Sequence, residues 1–372
     1  MENNCVEIVR NLENEIGKPN IPARLADKAS LFVNAMKDEK LKIREFRRLC
    51  FHGIPDNIKG LRPTSWKILM NLHSLSPVKW PTDLENAEKN YEEYLKEFLG
   101  YSKDTKAHEK HMNNDHPLSK SENSHWKKFF ADTELWEEIE KDTKRTRSDM
   151  HFFLSPTNKK EKKFFAKFAN KGENETHTDV LSRILFIYAK LNPGVAYVQG
   201  MNEVLAPIYF VFCHDNVDSA ECESFFCFNS LMGDLMDCFL RSLDKSKQGI
   251  NARLQDFQEL MHLVDNDLAT FLTSEGVVPH FYALRWILLL MTQEFDILTV
   301  IRLWDSMLST SEKSDFIQYI CAAHVLEKKE DIMGKEFHVI MAALQNFEMT
   351  DIEKLISNAK ELHDVISNKT IF

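Results

Sequence analysis

The chain has 372 residues, 43% of them hydrophobic, and a formal net charge of -10; this is enough apolar mass for one extended helical domain or two smaller ones. The acidic balance disfavours nucleic acid and anionic lipid as partners, and 11 glycines with 11 prolines leave too little punctuation for a strand-and-turn architecture. Seven cysteines, an odd number with no apolar leader in Met1 to Arg10, fit buried thiols in a reducing, cytoplasmic setting.

Taken in chain order, the first patterned stretch runs from Gly53-Ile54-Pro55 to Leu61-Arg62-Pro63-Thr64-Ser65-Trp66-Lys67-Ile68-Leu69. Residues 102–125 are rich in Lys, His, Asn and Ser and read as a flexible surface insertion or disordered loop. His108, His111 and His116 within it lack the fixed carboxylate or thiolate set of a metal site. Ile139-x-x-Asp142-x-x-Arg145 follows, and then a second charged stretch over 159–177 that contains Phe164, Phe165 and Phe168. Val180 to Leu191 carries one broad apolar face; Thr178 is placed to cap it and Pro193-Gly194 to stop it. A further helix is expected to start close to Tyr197 and to bend at Pro207. That puts Gln199 near a helix N-terminus, where backbone donors and the dipole favour an anion. Helical patterns continue over Phe281 to Phe295, Val300 to Leu308 with Trp304 and Asp305, and Phe316 to Leu326. Thr350 to Ile366 suits a final amphipathic helix. No apolar stretch approaches the length needed to span a bilayer. The fold class expected is all-α.

Two short motifs carry the chemistry. Arg145 closes the first, and Tyr197-Val198-Gln199-Gly200-Met201-Asn202 is the second. An arginine is a permanent planar cation able to lie across phosphate oxygens, and a glutamine can hold a water in line with phosphorus. Neither G-x-x-x-x-G-K-[ST] nor G-x-G-x-x-G occurs in the chain, so a phosphate-cradling loop of its own is missing and the nucleotide belongs to a partner.

In order and spacing these motifs resemble the TBC-domain GTPase-activating proteins for Rab GTPases. Arg62 and Trp66 stand at the positions of R-x-x-x-W, Ile139 to Arg145 match I-x-x-D-x-x-R, and Tyr197 to Met201 match Y-x-Q-G-M. Ser274-Glu275-Gly276 and Ile301-Arg302-Leu303-Trp304-Asp305 fall at family-like positions downstream. The stretch from Arg183 to Glu203 and the segments near Asn229 and Ser242 look most like the compact subgroup of TBC-domain family member thirteen. The resemblance covers residues 30–345, leaving 1–29 as an N-terminal helical extension and 346–372 as a C-terminal helix and tail. It implies a V-shaped, two-lobed helical fold.

It also implies a function: acceleration of GTP hydrolysis on a GTP-bound Rab, by arginine and glutamine fingers inserted in trans, in vesicle trafficking. Arg145 would neutralise charge between the β- and γ-phosphates, and Gln199 would orient the attacking water. Asp142, three residues before Arg145 and so on the same face of a helix, would orient the guanidinium. Tyr197, Gly200, Met201 and Asn202 would shape the glutamine turn, while Arg62 and Trp66 would be architectural, the arginine pairing with a buried carboxylate. No cofactor of its own is implied, because GTP and Mg2+ come with the partner, and no independent catalysis is implied either. Membrane association would be indirect, the protein being cytoplasmic and drawn transiently to endomembranes through the Rab. The chain departs from the R-T-x-P form of many members: Thr146 is followed by Arg147, Ser148 and Asp149, and Arg147 is a second cation able to compete with Arg145 for the phosphate. The alternatives are a non-catalytic Rab-binding scaffold and an α-helical adaptor without a GTPase partner.

Overall fold

Helices α1 (Glu2–Ile16), α2 (Ala23–Lys37), α3 (Ile43–Phe51) and α4 (Leu61–Leu69) begin the chain in a computed structural model that describes residues 2–100, 125–159, 175–239, 249–348 and 350–367. They are followed by α5 (Trp80–Leu99), α6 (His125–Thr143), α7 (His177–Leu191), α8 (Met201–Asp215) and α9 (Ala220–Phe239). The remainder comprises α10 (Ile250–Val264), α11 (Asn266–Ser274), α12 (Pro279–Leu288), α13 (Ile297–Ser309), α14 (Lys313–Glu327), α15 (Lys329–Ile332), α16 (Phe337–Leu344) and α17 (Ile352–Ser367). Among the described residues there is no strand, only an isolated antiparallel bridge between Pro156 and Thr176, so the all-α fold class stands. The polar stretch 102–125, its histidines, Ser242, Phe164, Phe165 and Phe168 lie essentially outside the described residues.

Two compact units divide the chain, one formed by residues 1–80 with 230–372 and the other by 81–229. The boundary expected at residue 30 falls inside α2. In the first unit α13 packs against α3, α4, α14 and α17. Trp66 of α4 stacks near Trp304 of α13 (ring centroids 6.0 Å), both fully buried. Asp305, on the next position of α13, has a side chain with no exposure. Its carboxylate accepts from the Ile54 N–H (2.8 Å), Trp66 Nε1 (2.8 Å), and Arg62 Nε (3.1 Å) and Nη2 (3.0 Å). Arg62 donates in addition to the Ile54 carbonyl (2.6 Å) and pairs with Asp56. The carboxylate expected for Arg62 is therefore Asp305, and the Gly53-Ile54-Pro55 loop, α4 and α13 converge on it. Cys50, Cys222, Cys227, Cys238 and Cys321 are buried.

In the second unit α7 is the central helix and is buried from His177 through Ala189 with few interruptions. Arg183 projects into this interior and meets Glu221 through Nε and Nη2, each at 2.9 Å, and Glu175 through Nη1 at 2.6 Å. Tyr91 Oη (3.1 Å) and Lys159 Nζ (2.6 Å) also donate to Glu221. Burial alone would lower the Arg183 pKa, but the Glu221 and Glu175 carboxylates more than reverse this and hold the guanidinium charged.

Several boundaries differ from the sequence pattern. The cap of α7 is Thr176, not Thr178. A capping box forms with Asp179, whose N–H donates to the Thr176 hydroxyl (3.4 Å) while the Thr176 N–H donates to the Asp179 carboxylate (2.8 Å). The helix expected near Tyr197 starts four residues later at Met201, because Gly200 takes a left-handed conformation (φ 103°) as its N-cap. The pattern over Phe281 to Phe295 yields α12 only to Leu288. The Met291 N–H closes back on the Trp286 carbonyl (2.9 Å), with Leu290 and Met291 at positive φ.

Candidate functional site

Arg145 and Gln199 both sit in turns, both exposed, one just after α6 and the other just before α8. The fold puts the first turn where it is because α6 packs on α7. Trp136 meets Phe186 edge-on (5.5 Å), Lys190 pairs with Asp132 (2.7 Å), and the buried hydroxyls of Thr143 and Ser182 lie 2.7 Å apart. Beyond Thr143 the chain tightens, with the Arg145 N–H on the Asp142 carbonyl (3.0 Å) and the Thr146 N–H on the Thr143 carbonyl (3.1 Å). Arg145 thus lies past the helix end, and the same-face argument linking it to Asp142 does not hold. Asp142 instead accepts a hydrogen bond from the Tyr197 hydroxyl at 2.8 Å. Burial, then this bond and the Asp142 charge, push the Tyr197 phenol above its ordinary pKa, so it stays a donor.

The second turn is tied to the first by Asn202. Its Oδ1 accepts from the Gly200 N–H (3.2 Å) and lies 3.3 Å from the Tyr197 hydroxyl; its Nδ2 donates to the Asp142 carbonyl (3.3 Å) and the Thr146 hydroxyl (2.9 Å). The Thr146 hydroxyl in turn donates to the Asp142 carbonyl (3.2 Å). Met201 is fully buried, and its sulfur faces the Val198 N–H at 3.5 Å. Backbone strain flanks both turns: Arg147 (φ 46°) follows the arginine and Ala196 (φ 56°) precedes the glutamine, conformations that cost a non-glycine residue about 1–2 kcal/mol.

This network sorts the sequence-predicted residues. Tyr197, Gly200, Met201, Asn202 and Asp142 form the bases of the two turns, and Arg145 and Gln199 are their exposed tips; among the described residues neither tip makes a side-chain hydrogen bond or ion pair. Arg62 and Trp66 belong to the Asp305 cluster of the other unit. Arg147 does not compete for a phosphate: its side chain is 5% exposed and donates to Asp149 at 3.0 Å. Thr146, with Thr143 and Ser182 behind it, is the residue that motif reading passed over. Its one sequence signal is its position directly after the arginine.

A family model for the Rab-GTPase-TBC domain matches residues 59–333. The chain belongs to this family. TBC1 domain family member 13 of Homo sapiens is 32% identical over 92% of this chain and 98% of its own length. The same protein of Mus musculus is likewise 32% identical, with the same coverage. Among solved structures, the Ypt/Rab-GAP domain of Gyp1p superposes with a TM-score of 0.71 at 23% identity, over 92% of this chain and 99% of that one; this likeness speaks for the shared fold. Both motif turns fall inside the TBC match, which leaves α1, α2, α3, α16 and α17 outside it.

Proposed function

We propose that this protein is a GTPase-activating protein for a Rab GTPase, supplying Arg145 and Gln199 in trans to a GTP and Mg2+ site carried by the partner. The observation that carries the reading is the pairing of two exposed, unengaged side chains of the right chemistry on turns bound to one another through buried Asn202. Arg145 would stabilise charge developing between the β- and γ-phosphates, and Gln199 would hold the attacking water. The chain would add these groups to an active site it does not itself contain, acting in vesicle transport from the cytoplasm and reaching endomembranes through the Rab.

The test is single-turnover GTP hydrolysis across a panel of purified GTP-loaded Rabs with wild type, Arg145→Ala and Gln199→Ala. An arginine finger contributes about 10³ to 10⁵ in rate, or roughly 4 to 7 kcal/mol of barrier, so Arg145→Ala should abolish most of the acceleration while binding persists. A Rab that binds in its GTP form and is never accelerated by wild type would make the protein a scaffold and refute the proposal.

A further inference from the structure

We propose that Thr146 is a positioning residue which, through Asn202, holds the arginine and glutamine turns in register as a single unit. This rests on the proposed roles of Arg145 and Gln199 and extends them to a residue that touches neither substrate nor nucleotide.

The group that joins the two turns is the Asn202 amide. It is 4% exposed, and its partners settle which end is which. The Gly200 N–H is a donor, so the atom facing it is the oxygen; the Asp142 carbonyl is an acceptor, so the atom facing it is the nitrogen. One planar group therefore spans the two turns, oxygen to the glutamine side and nitrogen to the arginine side. Its shortest bond, 2.9 Å, goes to the Thr146 hydroxyl. Thr146 is 3% exposed and directly follows Arg145 in the chain. Its hydroxyl accepts from Asn202 and donates to the Asp142 carbonyl, which also receives the Arg145 N–H at 3.0 Å. Loss of the hydroxyl thus loosens both the amide that reaches the glutamine turn and the carbonyl that sets the Arg145 backbone. A displacement of about 1 Å in such groups costs on the order of 10²-fold in rate.

Thr146→Val keeps the side-chain shape and removes both bonds; Thr146→Ser keeps both bonds and removes a methyl. In single-turnover hydrolysis with the most responsive GTP-loaded Rab, Thr146→Val should lower the maximal rate about 10- to 100-fold with the half-saturating concentration within about twofold of wild type. Thr146→Ser should stay close to wild type. Because the hydroxyl sets two tips at once, the Val factor should shrink in both the Arg145→Ala and the Gln199→Ala backgrounds. In the free protein, hydrogen–deuterium exchange of the peptide 197–203 should quicken at the Gly200 amide in Thr146→Val and not in Thr146→Ser, a readout that needs no Rab. Unchanged exchange in Thr146→Val overturns the proposal, as does a full multiplicative Val factor in both backgrounds. Equal rate losses in Val and Ser would assign the effect to the methyl and overturn it too. Where Val lowers the yield of folded protein, Thr146→Ala against Thr146→Ser asks the same question. Wild-type rates in Arg145→Ala and Gln199→Ala would instead refute the finger assignment, separately from the exchange result.

Discussion

Replacing Asp305 by Asn alters one atom of the first unit and should unsettle it as a whole. Oδ2 accepts from the Ile54 N–H and Arg62 Nη2, and Oδ1 from Trp66 Nε1 and Arg62 Nε. Whichever way an asparagine amide is turned, its NH2 therefore faces at least two donors, and the Arg62 guanidinium, 11% exposed, loses its buried counter-charge. Breaking a buried pair from one side costs about 3–5 kcal/mol. At about 2–4 °C per kcal/mol for a domain of 150–250 residues, the melting temperature should fall by about 6–20 °C. Arg62→Met added to Asp305→Asn should cost less than Arg62→Met alone, since the charge left unpaired is then gone. The assay is equilibrium urea unfolding with calorimetry on the two single variants and the double. A shift under 2 °C for Asp305→Asn, or strict additivity in the double variant, would refute the claim that this carboxylate organises the Gly53-Ile54-Pro55 loop, α4 and α13.

Two further predictions concern single residues. Gly53 sits at φ +82°, and a Cβ there would lie 2.8 Å from Arg302 Nε, whose guanidinium holds Glu353 with two 2.6 Å bonds. Gly53→Ala should cost about 1–2 kcal/mol for the backbone and more for displacing the arginine; urea unfolding of Gly53→Ala with and without Arg302→Ala separates the two parts. Burial lowers His177 and His324 from 6.5 to about 4. The unfolded chain then binds more protons between those values, so the stability from keeping these rings neutral is complete above about pH 6.5 and is lost as the pH falls towards 4. The loss is on the order of 3 kcal/mol per histidine. His177→Gln and His324→Gln should each flatten the fall in urea-derived stability over that range, and an unchanged slope in both would refute it.

What was legible in the sequence follows the range of the interactions that decide it. Helix periodicity survives in α7, α13, α14 and α17, because apolar spacing and stop signals are local. The expected span Val300 to Leu308 lies within Ile297–Ser309, extended because Asp296 caps the helix through the Leu298 and Thr299 N–H groups. Boundaries failed where a side chain turns away from its own helix. Tyr197 has an apolar ring in a helical pattern, yet its hydroxyl is taken by Asp142, 55 residues earlier. The pairing of Arg62 could be expected, but not its partner, since Asp305 lies 243 residues away. Glu221 and Arg183 were invisible for the same reason: they are 38 residues apart, and Asp179, one turn before the arginine, is a local partner by spacing that the structure gives to the Thr176 cap instead. Thr146 escaped because hydroxyls in turns are common, and only the position of Asn202 gives this one a role.

On the proposed function, the placement of Asp142 against Tyr197 explains how the site would keep the Arg145 charge free for a phosphate. Had Asp142 gripped the Arg145 guanidinium, a phosphate would have had to break that pair before receiving the charge. Placed on the Tyr197 hydroxyl instead, the carboxylate braces the glutamine loop, while its own backbone carbonyl anchors the arginine turn. The neighbouring cations are diverted in the same manner: Lys144 pairs with Glu140 at 3.0 Å and Arg147 folds inward to Asp149 at 3.0 Å. Of the two guanidiniums in the turn, Arg145 is the exposed one. The bases of both turns are ordered before any partner arrives, so engagement would cost mainly the side-chain freedom of one arginine, about 2 kcal/mol, and of one glutamine. On the proposed function, that small residual cost is set against about 4 to 7 kcal/mol of transition-state stabilisation, and the difference is what buried Tyr197, Asn202 and Thr146 make possible.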